Sequence, residues 1–114
     1  MKIIVCGGRA FTDHVLVDLV LGAIHHRYVV TELATGDALG ADAIAESWGF
    51  VNSIPRKIFK ANWFKHGKAA GPIRNKQMLE DFKPDAVVAF AGGKGTAGMV
   101  KLAEGAGVYV YKFN

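Results

Sequence analysis

Apolar positions along the chain alternate between two rhythms. Lys2 to Cys6 (KIIVC) is a nearly unbroken apolar run that stops at Gly7-Gly8, the pattern of a buried strand. Asp13 is then placed to cap a helix whose Val15, Leu16, Leu19, Val20 and Ala23 recur at spacings of three and four. Residues 28–35 (YVVTELAT) are rich in β-branched side chains and end at Gly36, after which Ala41, Ile44, Ala45 and Trp48 share one face of a second helix. Residues 54–60 (IPRKIFK) read as a third strand, and Pro55, which has no N–H to donate, places it at a sheet edge or at the strand's opening residue. Pro72 suits the first turn of a third helix running to about Asp81. Residues 85–90 (DAVVAF) form the most hydrophobic strand, residues 96–106 a fourth helix and residues 108–113 (VYVYKF) a closing strand.

Strands separated by helices, with two of the strands almost wholly apolar, predict an α/β fold. The expected architecture is a Rossmann-like three-layer sandwich around a mainly parallel sheet of about five strands. The length of 114 residues predicts a single domain spanning 1–114. In open sheets of this kind ligands sit beyond the carboxyl ends of the strands, where strand order reverses. The loops to inspect are therefore 7–12, 36–42, 61–72 and 91–96, each of which contains glycine.

Composition adds a direction to that picture. The net charge of +4 is a modest excess that favours acidic partners without specifying a polyanion. Its placement is more informative: no acid occurs from Ser47 to Leu79, while Arg56, Lys57, Lys60, Lys65, Lys68, Arg74 and Lys76 all fall there. Cys6 is the sole cysteine, which rules out an intrachain disulfide and fits a reducing, cytoplasmic setting. No apolar run approaches the ~18 residues that span a bilayer, and no leader pattern opens the chain, so no membrane association is expected. His66 has no second ligand at metal spacing, and His25-His26 sit where helix-end electrostatics explain them; no metal or other cofactor is expected.

The loops carry the chemistry. Gly7-Gly8-Arg9 permits close backbone approach to a ligand, with Arg9 as an anion clamp, although glycine after a strand also makes a plain turn. The dinucleotide fingerprint is absent, because Phe11 stands where its third glycine would fall. Gly36, Asp37 and Gly40 form a second candidate cradle opening into a helix; Asp37 would repel phosphate but can accept from a sugar hydroxyl or a base, and Asp42 reads as a cap or first-turn acid. In the third loop Trp63 and Phe64 stand among lysines, which suits base stacking with phosphate pairing and equally suits a solvated basic lid. Gly92-Gly93-Lys94-Gly95-Thr96 is not a Walker A loop, since its lysine precedes a glycine. It nonetheless offers free backbone N–H groups at a helix start, with Thr96 as cap and donor.

Taken together, VCGGRAFTD, GDALGAD, ANWFKHGKAAGPIRNKQML and AFAGGKGTAGMV resemble the motifs of the SLOG superfamily, in its small YspA/YpsA-related branch of bacteria and phages. The resemblance covers nearly the whole chain in order. It implies a Rossmann-like fold that binds nucleotides or nucleotide-derived ligands, in a superfamily that includes the LOG phosphoribohydrolases, the DNA-binding DprA proteins and nucleotide-sensing domains of conflict systems. The LOG pattern R-K-x-x-M aligns with Arg74 to Met78, and P-G-G-x-G-T-x-x-E aligns with Ala91 to Met99. The arginine and the glycine cradle match, but Met99 occupies the place of the catalytic glutamate, and a thioether can neither stabilise oxocarbenium-like charge nor activate water. Asp37 stands where a glycine is usual in this branch.

The resemblance thus implies binding of a nucleotide-derived ligand by Gly7, Gly8, Arg9, Gly36, Asp37, Gly40, Trp63, Arg74, Asn75, Gly92, Gly93, Lys94, Gly95 and Thr96, with a sensing or sequestering role. Two alternatives stand beside it. One is LOG-like phosphoribohydrolase activity with a carboxylate supplied by Asp37 or Glu46; the other is non-specific single-stranded DNA binding through the basic 56–76 segment. A homodimer or larger homo-oligomer is expected from the resemblance and the apolar final strand.

Overall fold

The computed structural model describes residues 1–113. Along the chain run β1 (Lys2–Cys6), α1 (His14–Tyr28), β2 (Glu32–Thr35), α2 (Ala41–Val51), β3 (Arg56–Ile58), α3 (Trp63–His66), a 3-10 turn (Gly67–Ala69), α4 (Ala70–Phe82), β4 (Ala86–Phe90), α5 (Lys94–Gly105) and β5 (Tyr109–Phe113). The five strands form one sheet in the order β3-β2-β1-β4-β5, every neighbouring pair parallel. The expected α/β, Rossmann-like architecture is therefore present, with a wholly parallel sheet.

Central strands must be apolar on both faces because helices cover both. Ile3 and Val5 point into the layer of α1 and α2 and pack with Val17, Leu21 and Trp48, while Ile4 points into the layer of α4 and α5 with Met78, Phe82 and Met99. Strand β1 pairs on one side with β2 (Ile3 opposite Leu33) and on the other with β4 (Ile3 opposite Ala86). Strand order reverses between β1 and β4, so the connections leaving their carboxyl ends run to helices on opposite faces of the sheet and leave a crevice there.

Several boundaries differ from the sequence reading. Strand β2 starts at Glu32, because α1 runs on to Tyr28 and the chain then turns through Val29 at φ 58°. His25, which with His26 lies in the last turn of α1 as expected, also closes the turn through Val29 by accepting the Val30 N–H on Nδ1 at 2.9 Å. The buried face of α1 is Val17, Leu21 and Ile24, whereas Val15 and Leu19 are 58% and 66% exposed. That helix is apolar nearly all round, so spacing alone left its inward face undetermined.

Strand β3 shrinks to three residues at the sheet edge. Pro55 precedes it and contributes its carbonyl, accepting from Leu33 N at 3.0 Å. The segment expected as a loop before Pro72 is largely helical. Asn62 caps α3 by accepting Lys65 N at 3.0 Å, and α4 begins at Ala70, with Pro72 inside its first turn where the missing N–H costs nothing. At α5 the cap residue is Gly93; Thr96 lies one turn into the helix and is not the cap.

Candidate functional site

The crevice is built from the backbone outward. Gly8 N donates to Ala91 O at 2.8 Å, tying the loop after β1 to the loop after β4, and Ala41 N donates to Gly8 O at 3.2 Å, seating the start of α2 on the same loop. Gly40 makes this seating possible: at φ +74° a Cβ would lie 2.2 Å from the Gly8 carbonyl oxygen, so only glycine fits. The result is a cleft of about 980 Å³ at the carboxyl ends of the strands.

Most of the residues expected to hold a ligand meet there. Gly7, Gly8, Arg9, Gly36, Asp37, Trp63, Arg74, Asn75, Gly93, Lys94, Gly95 and Thr96 all line the cleft. Gly40 lies behind it as the hinge of α2, and Gly92 lines two smaller neighbouring cavities of about 280 and 570 Å³.

Arg74 is the best anchored cation. Its Nη1 donates to the carbonyls of Gly36 and, at 3.4 Å, Phe59, and its Nε donates to Asn75 Oδ1 at 2.9 Å. Gly36 is thus occupied by the guanidinium lying across it; a Cβ there would strike the Arg74 side chain. Nη2 makes no hydrogen bond among the described residues, and because none of their buried side-chain nitrogens or oxygens lacks a partner it keeps accessible surface on a residue that lines the cleft. Burial lowers the Arg74 pKa from its ordinary value, opposed by the nearby Asp42 charge, and a guanidinium stays protonated regardless. Asn75, 5% exposed, spends its amide on Gly95 O at 3.2 Å while its carbonyl oxygen receives Arg74. It links α4 to α5 and fixes Arg74 relative to the glycine loop.

Gly93 and Gly95 differ from the packing glycines. Neither has a left-handed φ, and a Cβ on either would meet nothing within 4 Å. They border the cleft at the start of α5, a helix of 12 residues whose first-turn N–H groups are without intrahelical acceptors. Asp37 adopts φ 62°, the left-handed region that Asp tolerates better than most residues and glycine better still.

Sequence reasoning places Lys60 and Lys68 only within the basic third loop, and passes over Cys6 and, most consequentially, Asp42 as cleft residues. Asp42 does cap the turn, accepting Gly36 N at 3.0 Å and Ala38 N at 3.2 Å on Oδ2, but it is also 5% exposed, and burial pushes its pKa up to about 6. The Cys6 thiol is pushed up to about 12, chiefly by burial, and is inert at neutral pH. Glu46 receives the Thr35 hydroxyl at 2.7 Å on the α2 side of the sheet. Met99, 1% exposed, packs with Ile4, Met78 and Ala103 in the core beneath α4 and α5. Among the described residues no cluster of His, Cys, Asp or Glu is arranged to hold a metal, and no helix is long and apolar enough to cross a membrane.

The family described as YAcAr, the YspA, cpYpsA-related SLOG family, matches residues 1–66 of the chain. This protein belongs to that SLOG family. A curated relative, the Gene 61 protein of Mycobacterium phage D29, is 30% identical over 122 residues, covering 98% of this chain and 95% of its own. No solved structure gives a significant match. The matched SLOG region supplies the Gly7-Gly8-Arg9 loop, the Gly36 to Asp42 loop and Trp63, which form one wall of the cleft; the opposite wall, from Lys68 to Thr96, lies beyond it.

Proposed function

We propose that this SLOG domain binds a nucleotide or nucleotide-derived ligand in the cleft between β1 and β4, holding it for sensing or sequestration. The observation that carries this reading is electrostatic and geometric together. Arg9, Lys60, Lys68, Arg74 and Lys94 line a single cleft against Asp37 and Asp42, and the start of a long helix opens into it. A ligand bearing phosphate satisfies that surplus. Gly93 and Gly95 support the same reading, since packing and backbone geometry leave their lack of side chains unexplained whereas close approach of a phosphate accounts for it. Trp63, 52% exposed at the cleft, offers a flat surface for a base.

Holding is favoured over cleaving because no carboxylate stands at the place of the LOG glutamate; of the two acids weighed as substitutes, Asp37 lines the cleft and Glu46 does not. Met99 is in the core, Glu46 is engaged by Thr35, and neither lines the cleft. Native mass spectrometry of protein purified from cells is expected to reveal a retained nucleotide and to report the number of subunits. A nucleoside monophosphate panel is expected to raise the melting temperature, with the shift lost in Gly93→Asp, which sets a carboxylate in the cradle, and in Arg74→Ala. Absence of a shift across the whole panel removes the proposal, and release of free base from the bound ligand replaces it with the hydrolase reading.

A further inference from the structure

Asp42 carries an oxygen that the fold does not use. It sits in the first turn of α2, 5% exposed, with both backbone bonds of the 36–42 turn taken by Oδ2. Among the described residues Oδ1 has no hydrogen-bond partner. Because no buried side-chain oxygen among the described residues is left unpartnered, Oδ1 keeps accessible surface, and Asp42 is one of the residues that line the cleft. Withdrawing a carboxylate from water costs several kcal/mol. Closing a turn does not require that cost, since a neutral asparagine or serine caps as well. The charged, half-used carboxylate therefore needs a second account.

What it can recognise is limited by charge. A phosphate beside Asp42 would be repelled, and the cations that attract phosphate are supplied elsewhere along the cleft by Arg9 and Lys94. Arg74 tempers the Asp42 charge without bonding to it, its Nε and Nη1 being committed to Asn75, Gly36 and Phe59. The group that suits Oδ1 is a neutral hydrogen-bond donor. In a nucleotide that means a sugar hydroxyl or a base N–H, and the half-exposed Trp63 ring already offers the base its own surface.

We propose that Asp42 Oδ1 accepts a hydrogen bond from a ribose hydroxyl of the ligand, so that the cleft selects ribonucleotides over nucleotides lacking the sugar hydroxyls. This inference rests on the nucleotide-binding reading and names the sugar as the part of the ligand that Asp42 reads. An acceptor that is charged binds a hydroxyl more strongly than a neutral one, and a lost partner leaves the carboxylate buried and unsatisfied.

The test is calorimetric titration of the full chain with the four ribonucleoside 5'-monophosphates and their 2',3'-dideoxy counterparts. Wild type is expected to bind the dideoxy forms at least ~10-fold more weakly. In Asp42→Asn, whose amide oxygen can still receive Gly36 and Ala38, the difference is expected to fall below ~3-fold, with ribonucleotide affinity reduced. Equal wild-type affinity for ribo and dideoxy forms overturns the inference while leaving nucleotide binding intact, and it does so without any variant having to fold. Discrimination that persists undiminished in folded Asp42→Asn removes Asp42 as its source. No binding of any monophosphate overturns both readings together.

Discussion

Asp42 couples the stability of the domain to pH in a direction opposite to that of a paired surface acid. Its carboxyl titrates near 6 when folded, against an ordinary 3.8, because burial disfavours the charge more than the Gly36 and Ala38 N–H groups and Arg74 restore it. Between about pH 4 and 6 the folded chain therefore holds a proton that the unfolded chain has released. This contribution to stability is complete below the unfolded pKa and is lost as pH rises through the folded one. Its size is on the order of 3 kcal/mol. Urea midpoints from pH 4 to 7 are expected to show the wild type losing ground to Asp42→Asn as pH rises, and parallel profiles would remove the buried-charge account. The residue illustrates what a sequence conceals. An acid opening a helix is an everyday pattern, and nothing local distinguishes a solvated cap from one folded against a cleft wall by Gly36, Ala38 and α4.

At the scale of elements, the glycines divide by what surrounds them. Gly40→Ala places a Cβ against the Gly8 carbonyl at a left-handed φ and is expected to cost about 3 kcal/mol or more in chemical denaturation. Gly95→Ala enters open space within α5 and is expected to raise stability by ~0.5–1 kcal/mol while reducing the thermal shift given by a nucleoside monophosphate. A Gly95→Ala variant that keeps full ligand response would remove close approach as the reason for that glycine. Strands β1 and β4 were legible because burial on both faces leaves a continuous apolar run. The inward face of α1 was not, since apolar residues surround that helix, and neither was α3, whose only local signal is Asn62 ahead of Lys65 amid glycines that suggest a loop. The site was legible wherever glycine clusters follow strands. It was illegible where a role depends on the far side of the cleft, as with Gly36 lying under Arg74 and with Lys68 at the rim.

For the molecule as a whole, the sheet order has a consequence for how the chain divides. Strands β1, β2 and β3 are contiguous in the sheet and so are β4 and β5, and the boundary between the two groups is the crevice itself. A chain cut at Gly67 leaves a first piece with the open edge of β1 and the Ile4 and Ala34 faces uncovered, and a second piece with α4, α5 and two strands. Each is expected to be aggregation-prone by itself, because an unpaired central strand recruits other chains. Mixed, they are expected to reassemble, since β1 and β4 are register-matched from Ile3 opposite Ala86 to Cys6 opposite Ala89. Arg9 and Asp42 belong to one piece, Arg74 and Gly93 to the other, so any ligand that fills the cleft spans the seam. On the proposed nucleotide-binding reading, ligand concentration is expected to set how firmly two halves of one protein stay joined.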